Sequence, residues 1–105
     1  YVIIEYNSFT SVDEDPTPNT FTLSQNYPNP FNPSTKIGFT LSRTQQVSVR
    51  VFDVLGRHIS TLYDGIAQAG EHTVEFSAAE LPSGVYFYRI DATEGTQIKK
   101  MILMK

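Results

Sequence analysis

The chain carries two histidines, His58 and His72, and both stand in runs of strand-like composition. Neither has a Gly-x-Ser-x-Gly elbow or a comparable nucleophile motif nearby, so no base–nucleophile pair is written into the local sequence. Two histidines without ligand spacing make no zinc site, and they read as ordinary strand side chains. The absence of Cys removes thiolate ligands, thiol nucleophiles and disulfides together, while leaving the redox compartment open. Asp53, Asp64, Glu75 and Asp91 would serve glycoside chemistry if the fold brought two of them to one cleft. Their positions at turns and strand ends favour surface roles. No catalytic residue, metal ligand or cofactor motif is singled out.

Binding chemistry leaves more candidates. Tyr63, Phe87 and Tyr88 would stack on a sugar if they shared one exposed face, although small sandwiches place most of their aromatics in the core. Lys99, Lys100 and Lys105 form a small basic end, which also reads as a charged last strand that resists edge-to-edge pairing. The acidic run Asp13-Glu14-Asp15 lacks the glycine and the spaced ligands of a calcium loop and reads as a solvated hinge. Asn32-Pro33-Ser34 is excluded as a glycosylation acceptor by its central proline.

The elements that must position these groups follow from length and pattern. A chain of 105 residues and 11.8 kDa, 40% apolar and 18% charged, is sized for one core and is globular in composition. A net charge of -3 argues against a surface built to neutralise nucleic-acid phosphates. No apolar run approaches the ~20 residues of a membrane-spanning helix. Tyr1 is not a start residue and no basic stretch leads into an apolar one, so an excised piece of a longer protein is expected.

Residues 1–9 are β-branched and aromatic, and residues 10–20 hold acids and prolines. We read a strand from a preceding region followed by a linker, with one domain over residues 21–105. Within it, short runs rich in Val, Ile, Phe, Tyr and Thr are separated by Gly, Pro, Asn and Asp. Residues 35–41 alternate Ile37, Phe39 and Leu41 with polar or small residues, and residues 46–51 alternate Val47, Val49 and Val51. Further strands are expected over 57–63, 71–76, 84–92 and 96–105. Asp64-Gly65 and Ala69-Gly70 are expected to bound a loop, and Glu94-Gly95 to make a turn. With residues 21–25 the count is about seven strands, which fits an all-β fold, an immunoglobulin-like antiparallel β-sandwich. The expected core is Ile37, Phe39, Val49, Val51, Val74, Phe76, Tyr86 and Tyr88. Tyr86, after the corner Leu81-Pro82-Ser83-Gly84, stands where a tyrosine corner ties one sheet to the backbone upstream.

Four stretches carry a resemblance. They are Asn26-Tyr27-Pro28-Asn29-Pro30-Phe31-Asn32-Pro33-Ser34-Thr35, Val51-Phe52-Asp53-Val54-Leu55-Gly56-Arg57, Leu81-Pro82-Ser83-Gly84-Val85-Tyr86-Phe87-Tyr88 and Lys99-Lys100-Met101-Ile102-Leu103-Met104-Lys105. Residues 21–105 resemble a type A C-terminal sorting domain of the type IX secretion system, and more distantly the immunoglobulin-like domain of flagellar hook-capping proteins. The resemblance implies a non-catalytic label on a larger passenger exported by the Sec route. It also implies recognition by the outer-membrane secretion machinery of Bacteroidetes and their relatives. Clipping by a sortase-like cysteine protease and anchoring to anionic lipopolysaccharide at the cell surface belong to the same pattern. The alternative class is a non-catalytic spacer or carbohydrate-binding appendage of an extracellular enzyme.

Pro28, Pro30 and Pro33 fix φ and remove donors, so a rigid extended loop that joins no ladder is expected, with Asn26, Asn29 and Asn32 closing local turns on its backbone. Such a loop either contacts the machinery through residues 26–31 or plugs one end of the sandwich with Tyr27 and Phe31. Asp53 to Arg57 reads as a hairpin turn in which Gly56 takes positive φ and Arg57 pairs with Asp53. Residues 10–20, polar and proline-bearing, should be the first site cut in limited proteolysis, as mass spectrometry of the earliest fragments would show.

Overall fold

The computed structural model describes residues 21–105. The strand expected over residues 1–9, the acidic hinge and the domain boundary after residue 20 lie outside the described residues. Seven strands follow in order: β1 (Thr22–Leu23), β2 (Ser34–Leu41), β3 (Gln45–Phe52), β4 (His58–Ala67), β5 (Gly70–Ser77), β6 (Gly84–Ala92) and β7 (Gly95–Leu103). All pair antiparallel, in a three-stranded sheet of order β1-β2-β5 and a four-stranded sheet of order β4-β3-β6-β7. This is a β-sandwich, in which β4 extends the second sheet to four strands.

The period-two pattern builds it directly. Thr35, Ile37, Phe39 and Leu41 of β2 turn inward, facing Val47, Val49 and Val51 of β3 and Tyr86, Tyr88 and Ile90 of β6. Met101 and Leu103 complete the inner face from β7, and Phe21, Leu23, Phe31 and Phe76 from the other sheet and its flank. Each is removed from water, and burial of this kind is the main favourable term in folding. Tyr86 donates its hydroxyl hydrogen to Pro82 O at 2.7 Å, the corner anticipated from the sequence.

Three local expectations are corrected. Asp64 and Gly65 are not loop residues, because β3 begins at Gln45 and its ladder extends through Val47↔Gly65 and Ser48↔Asp64 to Ala67. The β4–β5 connection shrinks to Gln68 and Ala69. Val74 is only half-buried, packed on the rim of the core: edge strand β5 has a neighbour on one side, and along it the larger Phe76 ring, which Phe31 meets edge-on, is buried while Val74 is not. Gly95 already pairs with Ala92, so the last turn sits at Thr93 and Glu94.

Phe39 is 1% exposed and stacks on His72 at 5.1 Å between ring centroids. Phe39→Ala should cost about 3–5 kcal/mol in urea unfolding through transfer and cavity terms, and Val74→Ala clearly less. An equal loss at both positions would contradict this assignment of centre and rim.

Candidate functional site

Prolines 28, 30 and 33 supply no donors, but the residues between them do, and those residues pair. Tyr27 N–H donates to Lys36 O and Lys36 N–H donates to Tyr27 O, both at 2.9 Å. Phe31 N–H donates to Ile102 O at 2.9 Å, and Met104 N–H donates to Phe31 O at 3.0 Å. The loop is therefore bent rather than extended, and it joins both sheets, along the part of β2 that the two-residue β1 leaves uncovered and at the free edge of β7.

Its asparagines divide the work. Asn26, 2% exposed, donates from Nδ2 to Pro28 O (3.1 Å) and to Thr35 Oγ1 (3.0 Å), and Thr35 Oγ1 donates to Pro28 O (2.8 Å). Asn29 reaches away from its own turn, with Oδ1 accepting from Ile102 N–H at 3.0 Å. Asn32 makes no side-chain hydrogen bond among the described residues, so only Asn26 closes a local turn. The loop plugs the sandwich with one ring and not two: Phe31 is 2% exposed, whereas Tyr27 is 81% exposed.

The loop also meets Tyr88. The Tyr88 hydroxyl donates to Ser24 O at 2.7 Å and accepts from Asn26 N–H at 2.8 Å. Burial pushes its pKa up to about 12, with the Asn26 bond pulling the other way.

The three lysines do not form one basic patch. Strand alternation sends Lys99 to the side of Met101 and Leu103, half-buried, and Lys100 to the outer face. Lys105 does not hold its ammonium free in water: Nζ donates to Ala79 O at 2.6 Å, and its N–H donates to Ser83 Oγ at 3.0 Å. Protection of the β7 edge falls to residues 25–31, since Gln25 Nε2 also donates to Lys100 O at 2.8 Å.

The Asp53 turn is as expected and more heavily bonded. Oδ1 accepts from Leu55 N–H and Arg57 N–H, each at 2.9 Å, and Oδ2 pairs with Arg57 Nε at 2.8 Å. Backbone bonds run from Asp53 N–H to Arg57 O (3.0 Å) and from Gly56 N–H to Asp53 O (2.9 Å), with Gly56 at φ 83°. The Arg57 N–H, then its guanidinium and the Leu55 N–H, hold the Asp53 carboxyl below the usual carboxylate range. Sequence reasoning assigned no role of their own to Val54 and Leu55 at the tip of the turn, which are 62% and 73% exposed. The available signal was their type, two large apolar residues where turns favour Gly, Asn and Asp.

These pieces share one end of the sandwich. Residues 78–83 join the loop through Ala78 N–H to Pro33 O at 2.8 Å, and the chain end joins both through Met104 and Lys105. A cleft of about 530 Å³ lies between the Asp53 turn and Leu81, Pro82, Ser83, Gly84 and Val85. Gly84 opens β6 at this same end, opposite Leu103.

The remaining candidates are dispersed. Asp64 and Asp91 flank Ser48 on the four-stranded sheet, but Asp91 is engaged by Arg89 Nε at 2.8 Å and Thr96 Oγ1 at 2.8 Å. Asp53 is in its turn and Glu75 lies opposite Lys36 in the other sheet. Tyr88 is fully buried, Tyr63 packs inward against Phe39 and Phe87 faces outward, so the three make no sugar platform. His58 Nε2 contacts Thr61 Oγ1 at 2.9 Å and His72 Nε2 contacts Gln68 O at 2.7 Å, ordinary strand and turn contacts.

A family model described as "Secretion system C-terminal sorting domain" matches residues 25–104. The chain belongs to this family. Among solved structures the sorting domain is similar to the crystal structure of dimeric latent PorU from Porphyromonas gingivalis, at 18% identity and a TM-score of 0.62. The match covers 81% of this chain and 9% of that one, so this chain spans only a small part of that protein's length, and the likeness speaks to fold alone. No curated protein matches. The sorting domain is a non-catalytic secretion signal of the Por, or type IX, system, and membership implies a secreted or cell-surface protein recognised by that machinery. The four stretches that carry the resemblance in sequence all contribute to the shared end.

Replacing Tyr88 by Phe strips partners from Ser24 O and Asn26 N–H and should cost about 1–3 kcal/mol in urea unfolding at neutral pH. The neutral phenol is the native form, so its contribution is complete below the ordinary tyrosine pKa of about 10 and is lost as pH rises through about 12. The gap between wild type and Tyr88→Phe should therefore narrow across that window. A gap that stays constant with pH would rule out the buried phenol as its source.

Proposed function

We propose that this chain is the export label of a larger passenger, which crosses the inner membrane by the Sec route and is then led through the outer membrane by the type IX machinery. Clipping by a sortase-like protease and attachment to anionic lipopolysaccharide follow in the same reading. The domain over residues 21–105 is the label, and the residues ahead of it are the tether to the passenger.

The observation that carries the proposal is convergence. Sequence stretches far apart in the chain, around Asn29, Ser83 and Met104, are stitched into one end of the sandwich by main-chain and side-chain bonds, and the Asp53 turn lies across a cleft from residues 81–86 at that same end. A spacer has no need to gather them. The machinery in this reading takes the folded end rather than a linear basic tail. Asn26, Pro28, Asn29, Pro30 and Phe31 shape that surface, while Tyr27 and Lys105 are exposed on it.

The test places the full chain behind a Sec-exported reporter in a host with the type IX system. Reporter at the cell surface is the expected result, and periplasmic retention of a folded fusion would overturn the sorting reading. A Lys99→Gln, Lys100→Gln, Lys105→Gln triple variant should stay folded by circular dichroism, because among the described residues none of the three ammonium groups is in an ion pair, and Gln keeps a long polar side chain at half-buried Lys99 and a donor that can reach Ala79 O from residue 105. It should also reach the surface, since the three groups are dispersed. Retention of the folded triple variant would return recognition to the basic strand.

A further inference from the structure

Three of the hairpin and loop connections are polar or small: Ser42, Arg43 and Thr44 between β2 and β3, Gln68 and Ala69 between β4 and β5, Thr93 and Glu94 between β6 and β7. The β3–β4 turn departs from them. Its tip is Val54 and Leu55, mostly in solvent, so neither side chain contributes the burial that would justify it within the fold. Yet the tip is heavily bonded, held by both oxygens of Asp53, the Arg57 guanidinium and two backbone bonds. A turn fixed this firmly loses little conformational freedom on association, which is how preorganised anchors gain affinity. Beside it runs the cleft of about 530 Å³, walled by Ile59, Leu81, Pro82 and Val85.

We propose that Val54 and Leu55 form an apolar anchor that a protein of the secretion machinery seats in an apolar cleft of its own, while a ridge of that protein fills the cleft beside the tip. This deepens the sorting reading and rests on it. The charge pattern selects the partner. Asp53 and Arg57 are the charged residues lining the cleft, and they neutralise each other, so the lining and the tip carry no net charge, with Lys105 at the margin bonded to Ala79 O. An anionic lipid surface or a polyanion would need unpaired cations here. An uncharged apolar protein surface matches what is present. The patch is also continuous with the gathered end, since Ser83 both lines the cleft and accepts from Lys105 N–H at 3.0 Å.

The decisive comparison uses the full chain behind the exported reporter, with Val54→Ser/Leu55→Ser and, as the conservative control, Val54→Ile/Leu55→Met. Both side chains of the tip lie in solvent, so the serine variant should melt at the same temperature as the parent. The serine variant should deliver about tenfold less reporter to the surface, or lower still, as expected for loss of a central apolar anchor. The conservative variant should deliver a normal amount. Should the double serine change lower the melting temperature, Leu55→Asn alone, at a turn position that favours Asn, gives the same reading. Normal secretion of a folded polar variant, with the parent secreted, overturns the anchor while leaving the sorting reading intact. Retention of the parent itself overturns the sorting reading first. Sizing the purified chain at high concentration supplies the last arm: a dimer abolished by the serine changes would assign the tip to a second copy and overturn the machinery as its partner.

Discussion

Two twisted sheets packed face to face leave strand edges along both flanks, and unpaired edge groups must be satisfied or covered. In this sandwich the segment from Gln25 to Phe31 serves one flank. It runs beside β2, exchanging two main-chain bonds between Tyr27 and Lys36, then crosses to β7 and bonds Lys100, Ile102 and Met104. Phe31 enters the core through the same crossing and meets Phe76 edge-on at 6.1 Å. The rest of the gathered end depends on this closure, because it fixes the last strand against the first long one.

The closure has a polar hinge. Asn26, Thr35 and the Pro28 carbonyl form a small buried network, and Tyr88 reaches it from β6. Prolines shape such a loop by removing alternatives, but they cannot hold it, since they donate nothing. Holding falls to the residues between them. This explains why the segment alternates Asn or an aromatic residue with Pro: each non-proline position has a defined job, in the core, on the opposite edge or in solvent.

Rigidity is unevenly distributed at that end. The loop is rigid because two of its side chains, Asn26 and Phe31, are buried and its backbone is bonded to two sheets. The Asp53 turn is rigid although exposed, through a carboxylate that accepts two backbone N–H groups and pairs with a guanidinium. An exposed ion pair of this kind contributes little to global stability. Its consequence is local, in the fixed presentation of Val54 and Leu55.

Alternation of apolar residues was enough to determine strands, faces and most of the expected core from Ile37 to Tyr88, because a period of two assigns side chains to faces without knowledge of the partner. The tyrosine corner and the Asp53–Arg57 turn were legible too, being contacts within a few residues. What tertiary structure alone decided were contacts across long separations. Asp64 and Gly65 carry a turn signature, yet they are drawn into β4 because β3 supplies a partner for each. Val74 looks as apolar as Val49, yet it lies on an edge strand. Lys99, Lys100 and Lys105 read as one basic end until the pleat and a carbonyl from residue 79 separate them. The proline-rich segment read as unpaired because the strand edges and side chains it meets beyond Thr35 and Lys36, at Ala78, Tyr88, Ile102 and Met104, are distant in sequence, and a linear pattern carries no record of which distant edge a loop will meet.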